Sequence, residues 1–239
     1  MRFPLNYALN LLGLHLTSRT RRQQLDALSR IWHAGSVPYV QAFHRLIRQV
    51  RFVPGCIVEC GVLAGGGLLR LAWLARLEGQ VRSIYGFDSF DGLPPPTGKD
   101  GKPRFLYQEF RASYRDCQKF LQGLGWTNIA LISGPFSTTL PLFQQPIAFL
   151  SVDCDLYESY VTALHWLWPQ VVPGGVVRFD DVSPDWPGAC RAVEEFSRRE
   201  GIPLCSDGTR SGRYAVKPAP SRGAPMIKGS ERDPVEQAL

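Results

Sequence analysis

No stretch of this chain reaches the roughly 18 consecutive apolar residues that a bilayer span requires, so no membrane segment is expected. The run Tyr7–Leu16 imitates the apolar part of a signal peptide. Asn10 interrupts it, the main positive run follows instead of preceding it, and no small-residue cleavage site appears. Cysteine occurs six times, as Cys56, Cys60, Cys117, Cys154, Cys190 and Cys205, but never as C-x-x-C and never at zinc spacing. Cys56, Cys60 and Cys154 fall on or beside apolar runs, where free thiols behave as small hydrophobes, so a cytoplasmic, reducing location is expected. No internal repeat is present. Lysine is missing from the first fifty residues, and acid almost so: seven arginines face only Asp26 there, which accounts for the whole net charge of +6. The remainder of the chain is neutral, so the pI near 9.1 reflects a local arm and no nucleic-acid partner is expected. Such an arm suits a phosphate, an anionic substrate or an acidic neighbouring subunit, and equally a solvated helix face.

What is present reads as one globular domain with extensions, at 44% hydrophobic and 20% charged residues over 239 positions. Strand and helix periods alternate from residue 55 onward. Strands are expected at 56–62, 83–88, 128–133, 147–153 and 176–180, with helices at 68–77, 111–123, 156–168 and 189–199. The segment 89–110, with Pro94-Pro95-Pro96, Gly98 and Gly101, is a long irregular insertion of the kind that forms lids and binding loops. Residues 202–206 and 213–217, around Gly208-Thr-Arg-Ser-Gly212, read as a hairpin. The expected layout is a basic helical N-terminal arm over 1–50, an α/β body over 51–217 and a disordered tail over 218–239. Alternating βα units give a doubly wound, mostly parallel sheet, closed here by an antiparallel hairpin.

Two strands end in carboxylates: Asp153 closes Ile147–Asp153, and Asp180-Asp181 close Gly175–Asp181. Acids at strand ends point out of the carboxyl edge of a parallel sheet, where open α/β folds bind ligands. Three carboxylates this close repel unless a divalent cation lies between them, and oxygen-only ligands favour a hard ion such as Mg²⁺. A plainer alternative has Asp181 capping the next helix and Asp153 merely ending a strand. Asp155-x-x-Glu158 reads as a capping box, which gives Asp155 a structural task and leaves Asp153 as the freer ligand.

The first strand-to-helix turn is Glu59-Cys-Gly61-Val-Leu-Ala-Gly65-Gly66-Gly67, and the second strand ends in Asp88. An acid at the start of that turn would repel a pyrophosphate, which argues against a dinucleotide. It suits S-adenosylmethionine, whose amine and sulfonium are positive. Asp88 stands where an acid bonds ribose hydroxyls. The alternative is a tight turn without a ligand.

Glu59-Cys-Gly-Val, Phe87-Asp-Ser-Phe-Asp-Gly-Leu-Pro94, Asp153-Cys-Asp-Leu-Tyr-Glu-Ser159, Pro173-Gly-Gly and Asp180-Asp181 resemble, in this order, the macrocin O-methyltransferase family over about residues 50–200. The resemblance implies a Rossmann-like class I methyltransferase fold with seven strands, and an enzyme that uses S-adenosylmethionine to methylate a sugar hydroxyl of a small-molecule natural product. It implies Mg²⁺ on Asp153, Asp180 and Asp181, with Asp153 as the catalytic residue. It further implies cofactor contacts at Glu59, Gly61, Asp88 and Ser89, with Gly134, Phe136 and Ser137 in a loop beside the adenine. Cys154 departs from the usual glycine, Tyr160 from the usual threonine, and Arg178 from an apolar strand residue. Leu156 stands where the related catechol enzymes carry lysine. Tyr157 and Trp186 are candidate walls of the acceptor pocket. His165 reads as a surface or core residue, His15, His33 and His44 lie on the arm, and Trp166 and Trp168 read as core or subunit contacts. A homo-oligomer is expected. A second reading, of another class, is a non-enzymatic binding module that keeps the cofactor fold and docks a protein or nucleic acid through the basic arm.

The arm carries Leu9, Leu11, Leu12, Leu14, Leu16, Leu25, Leu28, Ile31 and Trp32 among its arginines, too apolar to stay solvated and too charged for an internal core. Deleting residues 1–35 is therefore expected to leave S-adenosylmethionine binding intact by calorimetry while acceptor turnover is lost. Unchanged kinetics and unchanged size by sedimentation would reduce the arm to a tail.

Overall fold

A computed structural model of the chain describes residues 37–101 and 108–219. The arm and tail expectations that fall on 1–36 and 220–239 lie outside the described residues, as does 102–107 within the insertion. The described arm segment is a helix, α1 (Val37–Gln49), followed by β1 (Cys56–Cys60), α2 (Gly66–Leu77), β2 (Ile84–Asp88), α3 (Tyr114–Gly123), β3 (Ile129–Ser133), a single turn α4 (Phe136–Thr139), β4 (Ile147–Val152), α5 (Tyr157–Leu167), β5 (Val171–Phe179), α6 (Pro187–Glu200), β6 (Cys205–Ser206) and β7 (Arg213–Val216). They build one seven-stranded sheet in the order β3-β2-β1-β4-β5-β7-β6. The first five strands run parallel, and β7 pairs antiparallel with both β5 and β6. The doubly wound sheet and the closing hairpin stand as the sequence suggested.

β1 and β4 are buried at every position, as strands covered by helices on both faces must be. One face packs on α5 and α6 through Tyr160, Leu164, Leu167, Val193 and Phe196. The other packs on α1, α2 and α3 through Phe43, Ile47, Leu68, Leu71, Cys117 and Leu121. Side chains removed from water this completely, such as Phe43 and Ile47 at 0% exposure, each contribute about 1.5–3 kcal/mol. α1 is thus part of the core and not an appendage. Its exit is fixed by Arg82, whose guanidinium donates to the carbonyls of Val50, Arg51, Val53 and Gly55 at 2.6–3.0 Å.

Three local readings differ. The segment after β3, expected as a loop, turns immediately into α4 and a 3₁₀ turn at Leu140–Leu142. β5 begins at Val171 instead of 176: Gly174 and Gly175 sit within the strand at a register shift, because Ile147 pairs with Val171 while Phe149 pairs with Val176. α5 starts at Tyr157, not at Asp155. Its N-cap position is Leu156, with no side-chain cap of its own, and Asp155 lies outside the helix at φ 63°. The Asp155 capping box is therefore not formed.

Strand order reverses between β1 and β4, which opens the crevice at their carboxyl ends. Gly61 sits at that point with φ +91°, and a Cβ there would lie 1.7 Å from the carbonyl oxygen of Asp153. Backbone cannot retreat from such an overlap. Gly61→Ala is expected to cost about 3 kcal/mol or more in urea unfolding. Gly79→Ala, at φ +68° with nothing within 4 Å, is expected to cost about 1 kcal/mol. Equal costs would refute the close approach of the two strand ends.

Candidate active site

A cleft of about 1050 Å³ opens at the carboxyl edge of the sheet. Gly61 and Leu63 of the first turn, Asp88 and Ser89 after β2, Phe136 and Ser137 of α4, and the acids after β4 and β5 all border it. Gly134 is not among its lining. It holds the turn that begins α4, at φ +140°, and donates its amide to the carbonyl of Asp88 at 3.0 Å.

Asp88 is engaged by backbone. Oδ2 accepts the amides of Val62 and Leu63 at 2.8 and 2.9 Å, and Oδ1 accepts that of Phe90 at 2.7 Å. The acid at the end of β2 thus holds the glycine turn in shape while keeping one flank on the cleft. Glu59 differs from its expected place. It is 1% exposed, does not line the cleft, and sits beneath the turn, where a Cβ on Gly67 would come within 2.2 Å of Oε1. The reason is strand parity: Glu59 shares the face of Ile57, which α2 covers. Burial pushes its carboxyl up to about 7, a shift that the Arg70 charge restrains.

The carboxylates after β4 and β5 converge, but not in the expected set. Oxygens of Asp153, Asp155 and Asp181 lie within 4.8 Å of one another. Asp180 still borders the cleft, yet its Oδ2 is taken by Arg178 Nη1 at 3.1 Å and by the Tyr39 hydroxyl, and its Oδ1 accepts the Asp181 amide at 3.2 Å. Asp155 therefore takes the place in the group that the sequence reading assigned to Asp180. The cause is Arg178. Fully buried, it bridges Asp180 and Asp207 (2.8 Å) and stacks on Phe43 (4.1 Å) and Tyr39 (4.7 Å) of α1. The sequence signalled this cation as a departure but gave no sign that an aromatic pair from the arm would face it. Tyr39 was missed altogether, because no local pattern distinguishes it from the other apolar positions of α1.

Charge crowding shows in the titration of the group. Burial first, then the neighbouring carboxylates, hold Asp153 well above the usual aspartate range. Burial pushes Asp155 and Asp181 up to about 8, with Asp153 the main charged contributor for the former and Asp155 for the latter. Burial opposes ionisation of Asp180 too, but the Arg178 charge and the hydrogen bonds from Tyr39 and Arg178 outweigh it and hold that carboxyl low. Asp155 and Asp181 both occupy the left-handed region, at φ 63° and 54°, which costs on the order of 1 kcal/mol each for a residue with a Cβ. Asp181 Oδ2 is buried without a hydrogen-bond partner among the described residues. An orphaned carboxylate oxygen beside two other carboxylates, on strained backbone, fits a hard divalent cation.

The cleft is bordered by seven carboxyl groups against one arginine, Arg111, a lining that suits a cationic ligand better than a pyrophosphate. Trp186, Cys154 and Thr162 complete the wall near the acids, with Leu93, Pro94 and Pro95 of the insertion on the wall as well. Tyr157, an expected wall residue, instead directs its hydroxyl to Glu195 at 2.6 Å. His165 is exposed and meets Trp166 edge-on at 4.9 Å, away from this cleft, and Trp168 is core, donating to Glu200 at 2.9 Å. His44 bonds Glu78 at 2.7 Å on the flank of α1 and α2. No helix among the described residues is long and apolar enough to cross a membrane.

Residues 35–205 match the family model described as macrocin-O-methyltransferase. Over 167 residues the chain is 33% identical to an 8-demethyl-8-(2,3-dimethoxy-alpha-L-rhamnosyl)-tetracenomycin-C 4'-O-methyltransferase of Streptomyces olivaceus, covering 63% of this chain and 60% of that one. It is 31% identical, over 63% of this chain and 61% of the relative, to a demethyldecarbamoylnovobiocin O-methyltransferase of Streptomyces niveus. The chain thus spans about three fifths of the length of these curated relatives. Among solved structures it superposes on the O-methyltransferase NovP with a TM-score of 0.65 at 25% identity, covering 77% of this chain and 81% of that one.

The raised carboxyls set a pH dependence. In the unfolded chain an aspartate titrates near 4, whereas Asp155 and Asp181 fold with values near 8. The folded state holds the extra protons between those limits, so stability falls as pH rises from about 4 to about 8 and levels off above. Glu59, at about 7, adds a contribution of the same sign. Thermal denaturation in EDTA is expected to show this fall. Mg²⁺ binds only the ionised carboxylates, so it is expected to raise Tm near pH 8 and hardly at all near pH 5. A flat profile would refute the clustering of the three acids.

Proposed function

The chain belongs to the macrocin O-methyltransferase family, and from that premise we propose that it transfers the methyl group of S-adenosylmethionine to a hydroxyl of a sugar-bearing small molecule, with Mg²⁺ at its acidic group. The observation that carries this reading is the convergence of the three carboxylates with the glycine turn and Asp88 around one cleft. The named activities of the relatives point the same way: both are O-methyltransferases of elaborated natural products.

The residues at the β1 and β2 ends would hold the cofactor. The glycine turn brings backbone close to the cleft, and of its lining residues Asp88 and Ser89 would meet the ribose and Phe136 and Ser137 the base. The surplus of carboxylates favours its sulfonium and amine. Glu59 supports the turn from below and has no contact role. Asp153, Asp155 and Asp181 would hold the divalent cation, and Asp180 is kept beside them as an ionised neighbour by Arg178. A cation held there supplies Lewis acidity and fixed positive charge to the acceptor hydroxyl.

The transfer is an in-line displacement. With S-adenosylmethionine bound, the acceptor oxygen would bond the methyl carbon as the carbon–sulfur bond breaks, sulfur departing as a neutral thioether, and the hydroxyl proton would pass to a carboxylate of the acidic group. Asp155 lies in the carboxylate group itself, which makes it a candidate to receive that proton or to hold the ion that lowers the hydroxyl's affinity for it. The lysine of the catechol enzymes has no counterpart at that position, where Leu156 stands. Most of the rate comes from orientation, since the oxygen must line up with sulfur across the methyl carbon.

Replacing Asp153 or Asp181 by Ala is expected to abolish turnover and weaken Mg²⁺ or Mn²⁺ binding by about tenfold or more, with S-adenosylmethionine affinity nearly unchanged by calorimetry. Asp155→Asn is expected to weaken the metal more than Asp180→Asn, whose carboxylate already belongs to Arg178 and Tyr39. Full turnover in excess EDTA would sink the metal assignment, and preference for NAD over S-adenosylmethionine would sink the enzyme class.

A further inference from the structure

Asp100 is 1% exposed although the six residues before it, Pro94 to Lys99, are all exposed. Its Oδ2 accepts the Thr97 amide at 2.7 Å and the Thr97 hydroxyl at 3.0 Å, closing a local turn. Its Oδ1 accepts the amide of Tyr157, the first residue of α5, at 2.7 Å. α5 has no side-chain cap of its own, so the cap comes from 57 residues upstream. The same oxygen lies against the first turn of α6, where a Cβ on Gly188 would come within 2.1 Å of it. One carboxylate therefore touches the starts of two helices, where backbone amides and the helix dipoles favour negative charge. Lys99 adds an ion pair to Glu158 at 3.3 Å and stacks on the Tyr157 ring at 4.2 Å. At the other end of the stretch, Leu93 exchanges backbone hydrogen bonds with Gln108 and Glu109 at 3.0 and 2.8 Å and is buried.

We propose that Asp100 is a positioning residue for the acceptor: it clamps Leu93–Gly101 onto α5 and α6, so that Pro94, Pro95 and Trp186 form one fixed wall of the acceptor end of the cleft. The inference rests on the methyl-transfer reading. Asp100 does not border the cleft and touches neither reactant; it acts through Pro94 and Pro95, which do border it, and through Tyr157, two residues after Asp155. The clamp needs glycine at 188, since any side chain there would occupy the carboxylate's place.

The test uses the full-length chain as Asp100→Ala, Asp100→Asn and Gly188→Ala. Deuterium exchange in the peptides covering 93–101 and 156–160 is expected to quicken at least about tenfold in both Ala variants. Asp100→Asn keeps one oxygen for the Tyr157 amide but offers Thr97 an NH2 in place of the second, so its exchange at 156–160 is expected to stay within about threefold of wild type, with a larger rise confined to 93–101. S-adenosylmethionine affinity is expected to stay unchanged in all three. With demethyldecarbamoylnovobiocin as acceptor probe, KM is expected to rise at least about tenfold in the Ala variants while kcat stays within about threefold, and Asn is expected to restore KM. Wild-type exchange in both Ala variants overturns the clamp. Faster exchange with an unchanged probe KM, or with cofactor affinity falling in parallel, overturns its role toward the acceptor. If the wild-type chain does not methylate the probe, the exchange comparison alone decides the clamp. The methyl-transfer reading falls separately, if the wild-type chain fails to bind S-adenosylmethionine.

Discussion

A guanidinium with no solvent exposure, Arg178, lies in the last parallel strand between Asp180 and Asp207. Desolvating such a cation alone would be prohibitive, and its partners must come from several elements to offset the cost. Asp180 comes from the end of its own strand, Asp207 from the closing hairpin, and the stacking rings of Tyr39 and Phe43 from α1. Asp207 is fixed in turn by Thr209, whose amide and hydroxyl both donate to Oδ1, and by the absence of a side chain at Gly212. Hairpin, strand end and first helix thus hold one another through a single charge.

That charge also sorts the acids above it. With Arg178 beneath, Asp180 stays ionised and engaged from below, which leaves the converging group to Asp153, Asp155 and Asp181. A strand with the usual apolar residue at this position would have no such reason to hold Asp180 back. The make-up of the carboxylate group is therefore a property of the sheet's buried face as much as of the strand ends.

Most of the fold was legible because its information is local. Buried strands announce themselves as short apolar runs, helices as 3.6-residue spacing, and the hairpin as two β-rich segments about Gly208 and Gly212. Asp153 and Asp181 were legible as strand-end acids for the same reason. The capping of α5 was not, since Asp100 reaches it across 57 residues and Asp155-x-x-Glu158 offered a nearer, false solution. The place of Glu59 was in principle readable. It alternates with Cys60 along β1 and pairs in register with Ser151, which pairs with Arg178, so all three lie on one row of the covered face. The engagement of Asp180 depends on Tyr39, 141 residues away, and no periodicity carries such a contact.

The left-handed backbone at Asp155 and Asp181 has an evolutionary reading. Glycine is the residue these two φ values favour, so selection for folding stability alone would drift toward it at both sites. Each such change would leave a better-folded chain with fewer carboxylates in its cleft. Aspartate at 155 and 181 therefore sets the charge of the cleft against the stability of the fold. In laboratory evolution, a screen that scores only soluble expression would tend to erase these two acids before many others.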